Sequence, residues 1–182
     1  MNICVFCGSA TGENPVYAET ARELGRLIGE NSHNLVYGGG NIGLMGILAD
    51  SVIEHQGEVI GVIPDFLLKQ EVGHKGISKL EVVSSMHERK KRMADLAHAF
   101  VAMPGGWGTL DELAEILTWR QLGIIHQPIG LLNINGFFDP LLEQMRSMVY
   151  NGFLKKGNLD LLHIETTPEK LLYHFHHPST LI

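Results

Sequence analysis

Pro104-Gly105-Gly106-Trp107-Gly108-Thr109-Leu110-Asp111-Glu112 is the stretch on which the reading of this chain turns. It follows Ala99-Phe100-Val101-Ala102-Met103, an unbroken apolar run that reads as a buried strand. Beyond it, apolar residues at Leu110, Leu113, Ala114 and Leu117 recur at helical spacing. A strand that passes through glycines into a helix is an anion-binding arrangement. The backbone can approach closely, and the first N–H groups of the helix point at the ligand. Gly105, Gly106 and Gly108 are therefore expected at a phosphate. Thr109 is expected either to cap the helix or to donate to a phosphate oxygen. Asp111 and Glu112 also suit the positive end of a helix, but capping alone does not call for three glycines after a proline. Glu112 sets a carboxylate about one turn inside the helix, close to the sugar of a nucleotide whose phosphate lies on the glycines.

The same rhythm runs outward in both directions. Ile3 to Cys7, Leu35 to Tyr37, Glu58 to Ile63, Leu80 to Val83, Ile129 to Leu132 and Leu161 to Ile164 read as further strands. Pro15 to Gly29, Leu44 to His55, Met86 to His98, Phe138 to Tyr150 and Pro168 to Phe175 read as helices, with Asn14 as an N-cap before Pro15. Lys69 to Ser78 is polar and reads as a loop. Strands separated by helices imply right-handed crossovers and a parallel sheet. The expectation is an α/β fold, a parallel sheet flanked by helices on both faces, in a single domain over 1–182. Ligands on such sheets bind beyond the carboxyl ends of the strands. Three glycine-rich loops, Gly8 to Gly12, Gly38 to Gly46 and Gly105 to Gly108, would converge on that edge.

A chain of 182 residues with 45% hydrophobic content can bury one sizeable core. Its net charge of −6 argues against a general nucleic-acid surface. No apolar stretch is long enough to span a membrane, and the first residues read as strand rather than signal peptide. Cys4 and Cys7 lie three apart in one strand and face opposite sides, as small core residues rather than a redox or zinc pair. These features point to a reducing cytoplasm. The histidines show no metal-site spacing, so neither a metal nor a cofactor is expected.

Other residues carry two readings each. Gly38, Gly40 and Gly43 match G-x-G-x-x-G, and Asp65 lies where a dinucleotide fold puts its ribose acid. The motif follows the second strand rather than the first, and Asp65 follows Pro64 as a turn residue would. Gly39, Gly40 and Gly43 either touch phosphate or ribose, or permit a tight turn. The basic run Arg89-Lys90-Lys91-Arg92 reads as a solvated helix face, with Glu88 pairing with Arg92 at i,i+4. Yet Arg89 stands near a helix start on the ligand edge, where a guanidinium can grip a phosphate, and Lys90 is its neighbour. Ser9 either contacts a ligand or holds a turn. Trp107 is a pocket wall or a packed anchor.

Pro104 to Glu112 fits P-G-G-x-G-T-x-x-E, and Met86-His87-Glu88-Arg89-Lys90 precedes it. With Cys7-Gly8-Ser9, Tyr37-Gly38-Gly39-Gly40, Gly43-Leu44-Met45-Gly46, Thr118-Trp119 and Gln121-Leu122-Gly123, these stretches resemble the Lonely Guy (LOG) family over nearly the whole chain. That resemblance implies a Rossmann-like homodimer. It would hydrolyse the N-glycosidic bond of a nucleoside 5′-monophosphate, either a cytokinin riboside 5′-monophosphate or AMP. It assigns the active-site acid to Glu112 and the active-site arginine to Arg89. Further nucleotide contacts fall on Glu71, Lys90, Gly106 to Asp111 (with Leu110 among them) and Thr118; Glu71 and Thr118 rest on the resemblance alone. Trp107 stands where the family has a tyrosine.

The expected chemistry is a carboxylate facing positive charge at C1′ while remote contacts hold the phosphate. No lysine is isolated beside an apolar pocket, which argues against an amine-based decarboxylase. A nucleotide carrier without turnover and an NAD(P)-dependent oxidoreductase are the alternative readings.

Overall fold

Both faces of the first strand are apolar, and that places it at the centre of the molecule. In β1 (Asn2–Phe6), Ile3 and Val5 point to one side and Cys4 and Phe6 to the other, all of them buried. The chain continues through α1 (Val16–Glu30), β2 (Asn34–Tyr37), α2 (Gly43–Glu54), β3 (Val59–Pro64) and a short α3 (Asp65–Leu68). Then follow β4 (Lys79–Val83), α4 (Met86–Leu96), β5 (Ala99–Ala102), α5 (Trp107–Gln121) and β6 (Ile129–Leu132). A 3-10 turn (Ile134–Gly136), α6 (Asp139–Tyr150), a short α7 (Lys156–Leu159), β7 (Leu162–Glu165) and α8 (Pro168–His176) complete it. The computed structural model describes residues 1–68 and 73–177.

The seven strands form one parallel sheet in the order β4-β3-β2-β1-β5-β6-β7. The chain builds outward from β1 to β4, crosses back to lay β5 against β1, and builds outward again to β7. The order therefore reverses between β1 and β5, and a crevice opens there at the carboxyl ends of the two strands. One face of the sheet is covered by α1, α2 and α8 through Leu24, Ile28, Leu48, Val52, Leu171 and Phe175. The other is covered by α4, α5 and α6 through Met93, Leu113, Ile116 and Leu142. Full burial of each such side chain contributes roughly 1.5–3 kcal/mol, so the sheet is clamped from both sides. Cys4 and Cys7 are free, buried and in opposite layers. Among the described residues, no helix is long and apolar enough to cross a membrane.

Every expected strand and major helix is present, with local differences. Helix α5 opens at Trp107, a turn earlier than its apolar pattern suggests, and its N-cap is Gly106 rather than Thr109. The N-cap of α1 is Pro15, one residue later than expected, while Asn14 Oδ1 accepts from the Val16 N–H at 3.1 Å. Asp65 opens the four-residue α3, a helix too short to leave a periodic signature. Glu88 does not pair with Arg92. It accepts from the backbone N–H and hydroxyl of Ser84, while Ser85 Oγ accepts from the Glu88 N–H, a variant of the capping box. Arg92 is thereby released to reach across to Glu81 on β4, at 2.6 and 3.0 Å.

Candidate functional site

Two loops touch at the crevice. The Gly8 N–H donates to the Pro104 carbonyl at 3.0 Å, and the Leu44 N–H donates to the Gly8 carbonyl at 3.1 Å. A methyl group on Gly105 would lie 2.1 Å from Thr109 Oγ1 and 2.9 Å from the Gly8 nitrogen, so Gly105 serves this contact. Gly106 and Gly108 differ: a methyl group on either would meet nothing within 4 Å. Their backbone is bare toward a cavity of about 230 Å³. No side chain caps α5, so its opening N–H groups carry the positive end of the helix to this wall.

Arg89 forms the opposite wall. Although it is only 8% exposed, Nε donates to the Val62 carbonyl at 3.0 Å and Nη2 to the Gly38 carbonyl at 2.9 Å. Nη1 has only a 3.9 Å contact with Met86 Sδ. A guanidinium carries five N–H donors, so this one keeps donors for a ligand while its plane is fixed.

Glu112 completes the polar lining. Burial pushes its carboxyl up to about 7, against the lowering influence of the Arg89 charge and with a further push from Asp111. A carboxyl balanced between its acid and base forms near neutral pH is suited to proton handling. Thr109, Ser9 and the rim residue Trp107 line the same cavity. Trp107 is 88% exposed, which makes it a rim and not a packed anchor. Gly8, from a glycine loop expected at this edge, also lines the cavity, as does Cys7, expected only as a core residue; Met45 and Leu67 line it without having been singled out. Leu67 projects from α3, which the sequence pattern did not reveal; Met45 sits in the Gly43-Leu44-Met45-Gly46 stretch, a signal that was present.

The remaining sequence-derived residues are placed elsewhere. Gly39, Gly40 and Gly43 do not line the cavity. Gly39 (φ +77°) lies under Leu80 and Ile63, Gly40 bridges to Gly73, and a methyl group on Gly43 (φ +63°) would strike the Ser9 backbone. Tight packing accounts for Gly39 and Gly43, and Gly40 is engaged through its backbone bridge. Gly38 is the motif glycine that does line it, and it makes room for Arg89. Leu110 is half-buried beside the core layer on its own face. Lys90 does not enter the cavity: its Nζ bridges Asp111 (3.1 Å) and Glu115 (3.2 Å), tying α4 to α5. Partial burial works against the Lys90 charge, but those two carboxylates hold its pKa above the ordinary value. Thr118 is exposed, six residues or about 9 Å of helix beyond Glu112, and donates to the Ala114 carbonyl. Glu71 lies outside the described residues. Asp65 is exposed and does not line the cavity.

Comparison with known proteins gives the family. The family model described as "Possible lysine decarboxylase" matches residues 45–175. The cytokinin riboside 5′-monophosphate phosphoribohydrolase LOG of rice (Oryza sativa subsp. japonica) is 50% identical over 84% of this chain and 63% of its own length. The chain thus spans a little under two thirds of that relative. The phosphoribohydrolase LOG7 of Arabidopsis thaliana is 47% identical over 84% of this chain and 70% of its own. Among solved structures, a molybdenum cofactor binding protein from Rippkaea orientalis has a TM-score of 0.73 at 22% identity, covering 98% of this chain and 97% of that one. The molybdenum cofactor carrier protein of Chlamydomonas reinhardtii has a TM-score of 0.67 at 23% identity, covering 94% and 98%. Those two likenesses concern the fold alone. No lysine lines the cavity among the described residues, and Lys90 is held as an ammonium, the opposite of what amine catalysis needs. With the motif run, the family match and relatives of this identity all in agreement, the chain belongs to the LOG family.

Proposed function

We propose that this protein hydrolyses the N-glycosidic bond of a nucleoside 5′-monophosphate, releasing the free base and ribose 5-phosphate. The observation that carries the reading is the Glu112 carboxyl, raised to about 7, facing one cavity with the Arg89 guanidinium and the uncapped start of α5. The relatives' phosphoribohydrolase names support it. The 5′-phosphate lies on the Gly106–Thr109 backbone and takes the free Arg89 donors. That remote grip holds the ribose against Glu112. As the C1′–N bond breaks, positive charge grows at C1′ and the ring oxygen. The ionised Glu112 stabilises it and takes a proton from the water that adds to C1′. The departing base leaves with the bonding pair and receives the proton that Glu112 took from the water, which returns the carboxylate to its starting form. Met45, Leu67 and Trp107 supply the less polar part of the cavity for the base.

Lys90 acts here as a positioning residue, holding the helix that carries Glu112. The working form is a homodimer. Leu122 and Ile124, 64% and 63% exposed at the end of α5, form an apolar surface that a second copy would cover, with Thr118 beside it. We read residues 1–182 as one nucleotide-binding domain of a cytoplasmic enzyme, a placement supported by its two unpaired cysteines.

The test is to incubate the protein with AMP, N6-isopentenyl-AMP and adenosine and to measure free base and ribose 5-phosphate. Release from a monophosphate, with adenosine a poor substrate, is expected; comparing initial rates on the two monophosphates names the preferred base. Binding without release would make the protein a carrier, and equal turnover of AMP and adenosine would remove the phosphate grip.

A further inference from the structure

A second cavity, of about 250 Å³, lies on the α1 side of the Gly8–Pro104 contact. Its walls are the rings of Tyr17 and Phe137 and the side chain of Leu44; residues 8–12 and 104–106 supply the rest. No charged side chain lines it among the described residues. Tyr17 and Phe137 meet edge to face, with centroids 5.9 Å apart at 76°. Phe137 is in turn held edge-on by the buried Phe138, at 4.9 Å and 88°. The ring pair is thus fixed from behind, while Phe137 remains 40% exposed.

The two cavities share Gly8, Ser9 and Gly106, whereas Arg89 and Glu112 line only the first. The shared residues belong to the glycine crossing, the end of the site assigned above to the phosphate. A group that runs from the first cavity into the second is therefore attached to the phosphate and not to the base. The way across is open: Ser9 is exposed, and a methyl group on Gly106 would meet nothing within 4 Å. Aromatic walls without charge suit a flat, uncharged ring. Open parallel sheets commonly hold a ligand across the strand-order reversal, part on each side.

We propose that the second cavity receives the base of a second nucleoside, joined to the first through a 5′–5′ pyrophosphate, so that the site accepts a dinucleotide as well as a monophosphate. This rests on the phosphate placement of the proposed function but not on turnover. The probe is diadenosine 5′,5′-diphosphate, titrated calorimetrically against the full chain with AMP and ADP as references. In the unsubstituted protein it binds roughly tenfold or more tighter than ADP, the scale of one stacked base. Tyr17→Ala and Phe137→Leu each lose that advantage while AMP affinity stays within about twofold, and Tyr17→Phe keeps it.

Equal affinity for the dinucleotide and ADP overturns the proposal. So does an equal loss of AMP binding in the substituted proteins, which would make the ring pair a prop for the crossing. A selective loss of N6-isopentenyl-AMP turnover would assign the cavity to the base and overturn it as well. Hydrolysis of AMP in the same preparation reports separately on the enzymatic reading.

Discussion

The Arg89 guanidinium sits against the Gly38 backbone so closely that a methyl group on Gly38 would lie 2.1 Å from Nη2. The hydrogen bond from Nη2 to the Gly38 carbonyl depends on that bareness. The consensus-like glycine of the second strand's loop thus works through an arginine that is far away in sequence.

Gly38→Ala is therefore expected to dislodge Arg89 and, as is expected of Arg89→Ala, to weaken monophosphate binding. Loss of a charge-assisted contact of this kind costs about 1.5–3 kcal/mol, roughly 10- to 150-fold in KM. Initial-rate kinetics on AMP would check it; a Gly38→Ala protein with unchanged KM would detach the glycine from the grip.

Glu112→Gln keeps the shape of the side chain and removes its ionisation. A fall in kcat of about 10² to 10⁴ is expected, with nucleotide affinity little altered. In the unsubstituted protein the carboxyl titrates at about 7, so kcat/KM should rise as pH passes upward through that value and then level off. A profile flat from about pH 5 to about pH 9 would show that Glu112 ionisation plays no part.

The same shift acts on stability. The Glu112 carboxyl has a folded pKa of about 7 against an ordinary 4.5, so the folded protein binds more protons than the unfolded one between those values. Stability from this group is whole below the unfolded value and is lost as pH rises toward the folded one. Glu112→Gln should therefore raise Tm above neutral pH, the gain shrinking to nothing by about pH 4.5. Thermal melts of the two proteins across that window would decide; a Gln variant less stable at high pH contradicts the burial argument.

Glu81 gives the opposite sign. The hydrogen bond from Arg92, followed by that from Lys79, holds its carboxyl down at about 2. Its stabilisation is present above the ordinary carboxylate range and is lost as pH falls toward that lower value. Arg92→Ala is expected to cost about 1 kcal/mol at neutral pH, discounted for the partly exposed guanidinium, or about 2–4 °C in Tm. The gap to the unsubstituted protein should narrow below about pH 4. An undiminished gap in acid would mean that packing, not charge, is what Arg92 supplies.

Much of this was legible in the residues themselves, for reasons that are physical. Strands buried on both faces leave unbroken apolar runs, and the glycine–helix junction at residues 105–109 has few other uses. What stayed hidden depended on contacts between segments distant in sequence. Gly39, Gly40 and Gly43 carried two readings because a motif cannot distinguish backbone approach to a ligand from backbone approach to Ser9, Leu80 or Gly73. Lys90 read as a ligand residue because Asp111 and Glu115 face it only once α5 is laid beside α4. Leu67 had no signal because four residues do not make a period.

The lysine seam has a practical corollary for anyone who would redesign the pocket. Anion grip, acid and arginine are carried on two helices stapled by one ammonium, so loosening that staple would shift all three together. Met45 and Leu67 hang from α2 and α3, outside that staple. A new leaving group is best accommodated by recutting those two side chains and leaving the α4–α5 block untouched.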